Sequence, residues 1–174
     1  MLHGSPPAAA DSPPHVLLHE GPTALIACVD DCLITVVHTL TQEGVAAIAR
    51  GMTQLVQRHG AFRSLALAVR KTGSEAVDES RAAVAQLVQQ HTRSIRAAAV
   101  VSEGTGFRAT AVRSMVTAIH MAGRASHPTK MFDTLPPALE WLASKRPELP
   151  LDGPRVASTV DALRARLSAL ADGA

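Results

Sequence analysis

Eight histidines and two cysteines are the residues of this chain best suited to metal or redox chemistry, and their spacing argues against both. A zinc centre needs His or Cys ligands in close pairs on a turn or on one helical face. His15 and His19 would share one face of a strand, and His38 belongs to another extended run. No Cys-x-x-Cys occurs, and no His-x-x-x-His pair falls in a helical pattern. His59 and His91 fall near expected helix C-termini, where a protonated imidazole complements the helix dipole. Cys28 and Cys32 lie in apolar runs and read as small core residues. Four positions apart on an extended segment, they stand too far from each other to form a disulfide. The sequence therefore offers no metal site and calls for no cofactor.

Nucleophilic catalysis finds no better support. A strained nucleophile turn of the Gly-x-Ser-x-Gly kind is missing, and Asp30-Asp31 reads as a pair of turn carboxylates facing water. One loop, Glu103-Gly104-Thr105-Gly106-Phe107-Arg108, follows a strand pattern and opens a helical one. Free N–H groups at such a helix start, together with Arg108, would hold an anion. The loop lacks the Lys-Ser/Thr of a P-loop and the spacing of a dinucleotide fingerprint. Gly104, Thr105, Gly106 and Arg108 therefore stand as a candidate anion-binding loop, against the simpler role of glycines in a tight turn.

The elements that must position these residues follow from periodicity. His15 to Glu20, bounded by Pro14 and Gly21-Pro22, reads as a first strand. Ala24–Val29 and Leu33–His38 read as a hairpin turning at Asp30-Asp31. Val45, Ile48, Ala49, Met52, Leu55 and Val56 then follow helical spacing, with Thr41 as N-cap, Glu43 in the first turn and Gly60 past the end. Ser64–Arg70, Ala97–Ser102 and Thr129–Asp133 read as further strands. Helices are expected from Ser74 to near Arg93, after Gly106, and after Thr134, where Pro136-Pro137 sits in the first turn. Pro147–Pro154 reads as a linker. Beyond it Val156, Val160, Leu163, Leu167 and Leu170 form a narrow apolar stripe. An isolated helix of that length is marginal in water, so the stripe must dock. It can dock on the domain's own sheet or helices, on a second copy of the chain or on another protein, and the narrow stripe after a proline-rich hinge slightly favours an intermolecular partner.

Composition narrows the function classes. The chain of 174 residues is 47% hydrophobic and 18% charged, as a single folded domain would be. Only 2% of residues are aromatic, so the core must be Ala, Val, Leu and Ile, and base-stacking platforms are not available. A net charge of +2 is too small for a nucleic-acid footprint. Arg63, Arg70, Lys71, Arg93, Arg96, Arg108, Arg113 and Arg124 read as solvated edges. Met1–Pro14 is Pro/Ala-rich without signal-peptide character and reads as a disordered tail. No apolar stretch is long enough to span a membrane, and a cytoplasmic location is expected.

The order hairpin, helix, strand, helix, strand, helix, strand, helix predicts an α/β fold with a mixed four- to six-stranded sheet, about four packed helices and a C-terminal amphipathic helix. Ala24-Leu-Ile-Ala-Cys-Val29, the helix after Thr41, Ala98-Ala-Val-Val-Ser-Glu-Gly104 and Lys130-Met-Phe-Asp-Thr-Leu-Pro-Pro-Ala-Leu-Glu-Trp-Leu142 carry a resemblance. Residues 15–143 resemble the SpoIIAA-like, or STAS-like, superfamily of small bacterial domains. The division implied is a tail over 1–14, a STAS-like domain over 15–146, a linker over 147–154 and a helix over 155–174. Understood members of the family bind protein partners, often under serine phosphorylation at the start of a helix. The corresponding segment here is Val77-Asp78-Glu79-Ser80-Arg81-Ala82, with Glu79 where the switch serine stands and Arg81 where a glycine stands. The resemblance thus implies a partner-binding or regulatory surface at Ser74, Asp78, Glu79 and Ser80.

The expected function is a non-catalytic signalling or regulatory module that binds a protein. The alternative is a small-molecule or lipid carrier of the same fold, and an enzyme is the third reading. An enclosed apolar cavity would favour the carrier, and a flat exposed apolar patch the protein-binding module.

Overall fold

The described residues form six strands and five helices, three strands coming first and two helices last. The structure, a computed structural model, describes residues 15–69, 77–102 and 107–172. The strands are β1 (Val16–Glu20), β2 (Ala24–Val29), β3 (Cys32–Val37), β4 (Phe62–Ala68), β5 (Ile95–Ser102) and β6 (Thr129–Phe132). The helices are α1 (Gln42–His59), α2 (Val77–His91), α3 (Phe107–Ala122), α4 (Leu135–Ser144) and α5 (Gly153–Asp172). The sheet runs β1-β2-β3-β4-β5-β6 in sequence order. β1, β2 and β3 pair antiparallel, whereas β3 through β6 pair parallel. Each parallel step needs a crossover long enough for a helix, and α1, α2 and α3 supply those crossovers.

Turn and cap chemistry fixes the ends. Asp30 takes a left-handed φ of 50° in the two-residue β2–β3 turn, a conformation that Asp tolerates better than most residues. Thr41 accepts a hydrogen bond from the Gly44 N–H at 3.2 Å. Gly60, at φ 70°, donates its N–H to Val56 O and closes α1. Thr134 occupies the N-cap of α4 but makes no side-chain capping bond.

Both faces of the sheet are covered. On one, Leu25, Ala27, Ile34, Val36, Leu65, Leu67, Ala99 and Val101 pack against α4 and α5. On the other, Ile26, Cys28 and Leu33 pack against Ala47, Ile48, Met52 and Leu55 of α1. Burial drives the Cys28 thiol up to about 11, and that of Cys32 higher still, so both stay protonated as core residues.

Three expectations are corrected here. The α5 stripe does not await a partner: Val156, Val160 and Leu167 are fully buried and Leu163 nearly so, inside the chain's own core, with Leu170 packed against its edge. The cause is local, because residues 147–154 are tied down rather than hinged. Leu149 O accepts a hydrogen bond from Arg63, and the Asp152 carboxylate caps α5 by accepting from the Arg155 N–H at 3.0 Å. The Asp31 carboxylate does not face water, and Arg63 is no solvated edge. Both are wholly buried and paired with each other.

Candidate functional site

The floor of the candidate site comes from side-chain alternation in the parallel strands. In β4, Leu65 and Leu67 point toward α4 and α5, so Ser64, Ala66 and Ala68 point the other way. Neighbouring strands repeat the pattern. Leu33, Ser64, Ala98 and Thr129 form one cross-strand row, and Thr35, Ala66 and Val100 the next. This half of the sheet is therefore carpeted with small side chains. Leu65 and Leu67 are buried, yet Ser64, Ala66, Ala68, Ala98 and Val100 keep part of their surface accessible.

The roof stands off that floor. α1 packs closely on β1 to β4, and α4 and α5 do so on the opposite face. By contrast α2 and α3 pack mainly on each other, and α2 on α1, rather than down onto the strands. The space left is an apolar cavity of about 210 Å³, lined from above by Ile48, Met52, Val84, Val88, Val112, Met115, Val116 and Ile119. Gly123 allows the close α2–α3 approach, because a Cβ there would lie 2.8 Å from Val88 Cγ1 and 2.9 Å from Ala85 O.

Polar groups gather at the two ends of the strands. His38, Thr39, Ser80 and Arg81 line the cavity beyond the C-terminal end of β3. There the Ser80 hydroxyl donates to Leu40 O at 2.7 Å and pins α2 to the segment before α1. His120, His127 and Thr129 line the opposite end. The two imidazoles meet edge to face with centroids 5.9 Å apart, and His120 Nδ1 lies 3.2 Å from Thr129 Oγ1. His127 is 7% exposed, and its Nδ1 finds no hydrogen-bond partner among the described residues. Burial, and then the neighbouring His120, push its pKa down to about 4, so the ring is neutral at neutral pH.

Of the residues expected to form a regulatory surface, the structure places Ser80 at this cavity, where His38 and the α1 residues Ile48 and Met52 also lie. Its hydroxyl is buried and bonded inside the fold, not offered on the surface as the regulatory reading expects. Ser74, Gly104, Thr105 and Gly106 lie outside the described residues, as do the side chains of Asp78, Glu79 and Arg108. The floor residues Ser64, Ala66 and Ala68 are not among those expectations. The signal for them was present in Ser64-Leu-Ala-Leu-Ala68, where large residues alternate with small ones.

No family model, curated protein or solved structure matches the chain. Among the described residues no helix is long and apolar enough to cross a membrane.

Proposed function

We propose that this domain binds a small apolar molecule between its sheet and the α2–α3 pair. The observation that carries the reading is the apolar cavity of about 210 Å³ over a floor of Ser, Ala and Thr side chains. A dry cavity of about 150 Å³ already takes up benzene, so this one suits a hydrophobe of roughly ten non-hydrogen atoms. The apolar walls would supply affinity by removing the ligand from water. The stand-off of α2 and α3 would let the roof close on the ligand without disturbing the α4–α5 face. The likeness to SpoIIAA-like domains bears on fold alone. Among the described residues, the large hydrophobic side chains standing exposed are Val16, Leu17 and Met121. They give less support to a flat protein-binding patch than the cavity gives to a ligand.

Thermal unfolding with propylbenzene tests the proposal. Ligand at ten times its Kd adds about 1.4 kcal/mol to stability, which raises the midpoint by about 3–6 °C in a domain of this size. Ala66→Phe, which fills the floor, should remove the shift. An unchanged midpoint in the wild type at the solubility limit of propylbenzene would count against the cavity as a binding site.

A further inference from the structure

Nearly all the cavity wall is apolar, yet one buried imidazole in it, that of His127, has a ring nitrogen without a partner among the described residues. A buried polar atom left unpaired is costly, and such atoms are normally satisfied. His127 Nδ1 is such an atom, on a side chain that is 7% exposed and lines the cavity. Its neighbour His120 is already engaged by Thr129 Oγ1. Thr129 belongs to the cross-strand row with Ala98, and His127, two residues before β6 in the α3–β6 connection, is followed by Pro128, whose carbonyl accepts from the Ala98 N–H at 3.0 Å.

Resting on the cavity reading above, we infer that the ligand carries one neutral hydroxyl group, placed against His127 at the β6 end, with its apolar body under α2 and α3. A hydroxyl both donates and accepts, so it satisfies Nδ1 in either imidazole tautomer once the ring turns to bring that buried nitrogen to the ligand. A carboxylate fits less well. At this end it would meet two imidazoles, of which His127 is uncharged at neutral pH, while the Arg81 guanidinium lines the opposite end of the cavity, and an anion buried without a countercharge beside it is strongly disfavoured. The class indicated is a phenol or a compact alcohol rather than a fatty acid.

Calorimetric titration with 4-propylphenol and propylbenzene, which share one apolar body, tests this in the full-length protein. The ratio of their Kd values in the wild type is compared with that in His127→Leu and His127→Gln, which cancels the difference in transfer from water. The preference for the phenol should fall at least fivefold in His127→Leu and return in His127→Gln, with propylbenzene affinity kept throughout. In the unaltered protein, the His127 ring ¹⁵N resonances should shift with 4-propylphenol and stay in place with propylbenzene. This second readout holds even where a variant fails to fold. A ratio unchanged by His127→Leu, or ring resonances that do not separate the two probes, overturns the inference, as does tighter binding of 4-propylbenzoate than of the phenol. If propylbenzene binds in any of those cases, the apolar cavity stands and only the hydroxyl assignment fails. Binding of neither probe removes both.

Discussion

Asp31 and Arg63 are both wholly buried, and they form a two-pronged ion pair at the end of the sheet where the β2–β3 turn meets the start of β4. Arg63 Nε donates to Asp31 Oδ2 at 3.0 Å, and the Arg63 N–H donates to Asp31 O at 2.8 Å. Arg146, two residues past the end of α4, adds a third prong to Asp31 at 3.1 Å. The same guanidinium donates to His59 O at 3.1 Å and to Ala61 O. One carboxylate thus joins the hairpin turn, the end of α1, the start of β4 and the segment leading to α5.

Removing one partner of a buried pair leaves an uncompensated charge and costs about 3–5 kcal/mol. Asp31→Asn, which leaves the Arg63 guanidinium buried without a countercharge while Arg146 keeps Glu148, should lose about that much in urea unfolding. Arg63→Met should lose less, because Arg146 still faces Asp31. Equal stability of Asp31→Asn and wild type would show that the network is not held as described.

Helix α5 belongs to the core, which sets a second expectation. Leu163→Ala should cost about 2–5 kcal/mol, as deletion of a buried leucine does. Truncation before Gly153 should abolish cooperative unfolding, since it uncovers Leu25, Ala27, Val29 and Ile34 at once. A truncated chain that keeps its midpoint and only loses an oligomer in light scattering would restore the association helix.

The buried imidazole makes stability depend on pH. His127 binds its proton more weakly in the fold than in the unfolded chain, with a pKa near 4 against the usual 6.5. The unfolded state therefore takes up the proton first, and folding loses stability as pH falls from about 6.5 towards 4. The loss should be on the order of 1–3 kcal/mol. His91 is shifted down by burial too and adds in the same sense. Comparing His127→Leu with wild type isolates the one group. Parallel pH–stability curves for the two would mean that His127 is not buried as a neutral ring.

Gly123 sets the α2–α3 spacing above the cavity. A methyl group there meets Ala85 O and Val88 Cγ1 at under 3 Å, so Gly123→Ala should cost about 1–3 kcal/mol through overpacking. The same change should alter propylbenzene affinity by moving the roof. A variant with stability and affinity intact would show that the two helices have room to spare.

The fold was largely legible in the sequence, and the site was not. Helix α1 declared itself through Thr41, its apolar spacing and Gly60, because local capping and periodicity decide it. Asp31, Arg63 and Arg146 were invisible as a group, because their pairing links positions up to 115 residues apart. The docking of α5 was misjudged because Pro147–Pro154 reads as a free hinge. Asp152 before Gly153-Pro154 was the overlooked sign of a capped helix held against the domain. The cavity depends on how far α2 and α3 stand from the strands, a tertiary distance that no local pattern encodes. Only its small-residue floor was written in β4.

The most direct test of the central claim, a small-molecule cavity under α2 and α3, is a methyl NMR titration with propylbenzene. Saturable shifts are expected at methyl groups of Met52, Val84, Val88, Val112, Val116 and Ile119, which line the cavity from three helices. Leu163 and Leu167, on the far side of the sheet, should stay unmoved. Shifts confined to the exposed Met121, or absent at the cavity methyls up to the solubility limit of the probe, would contradict the account.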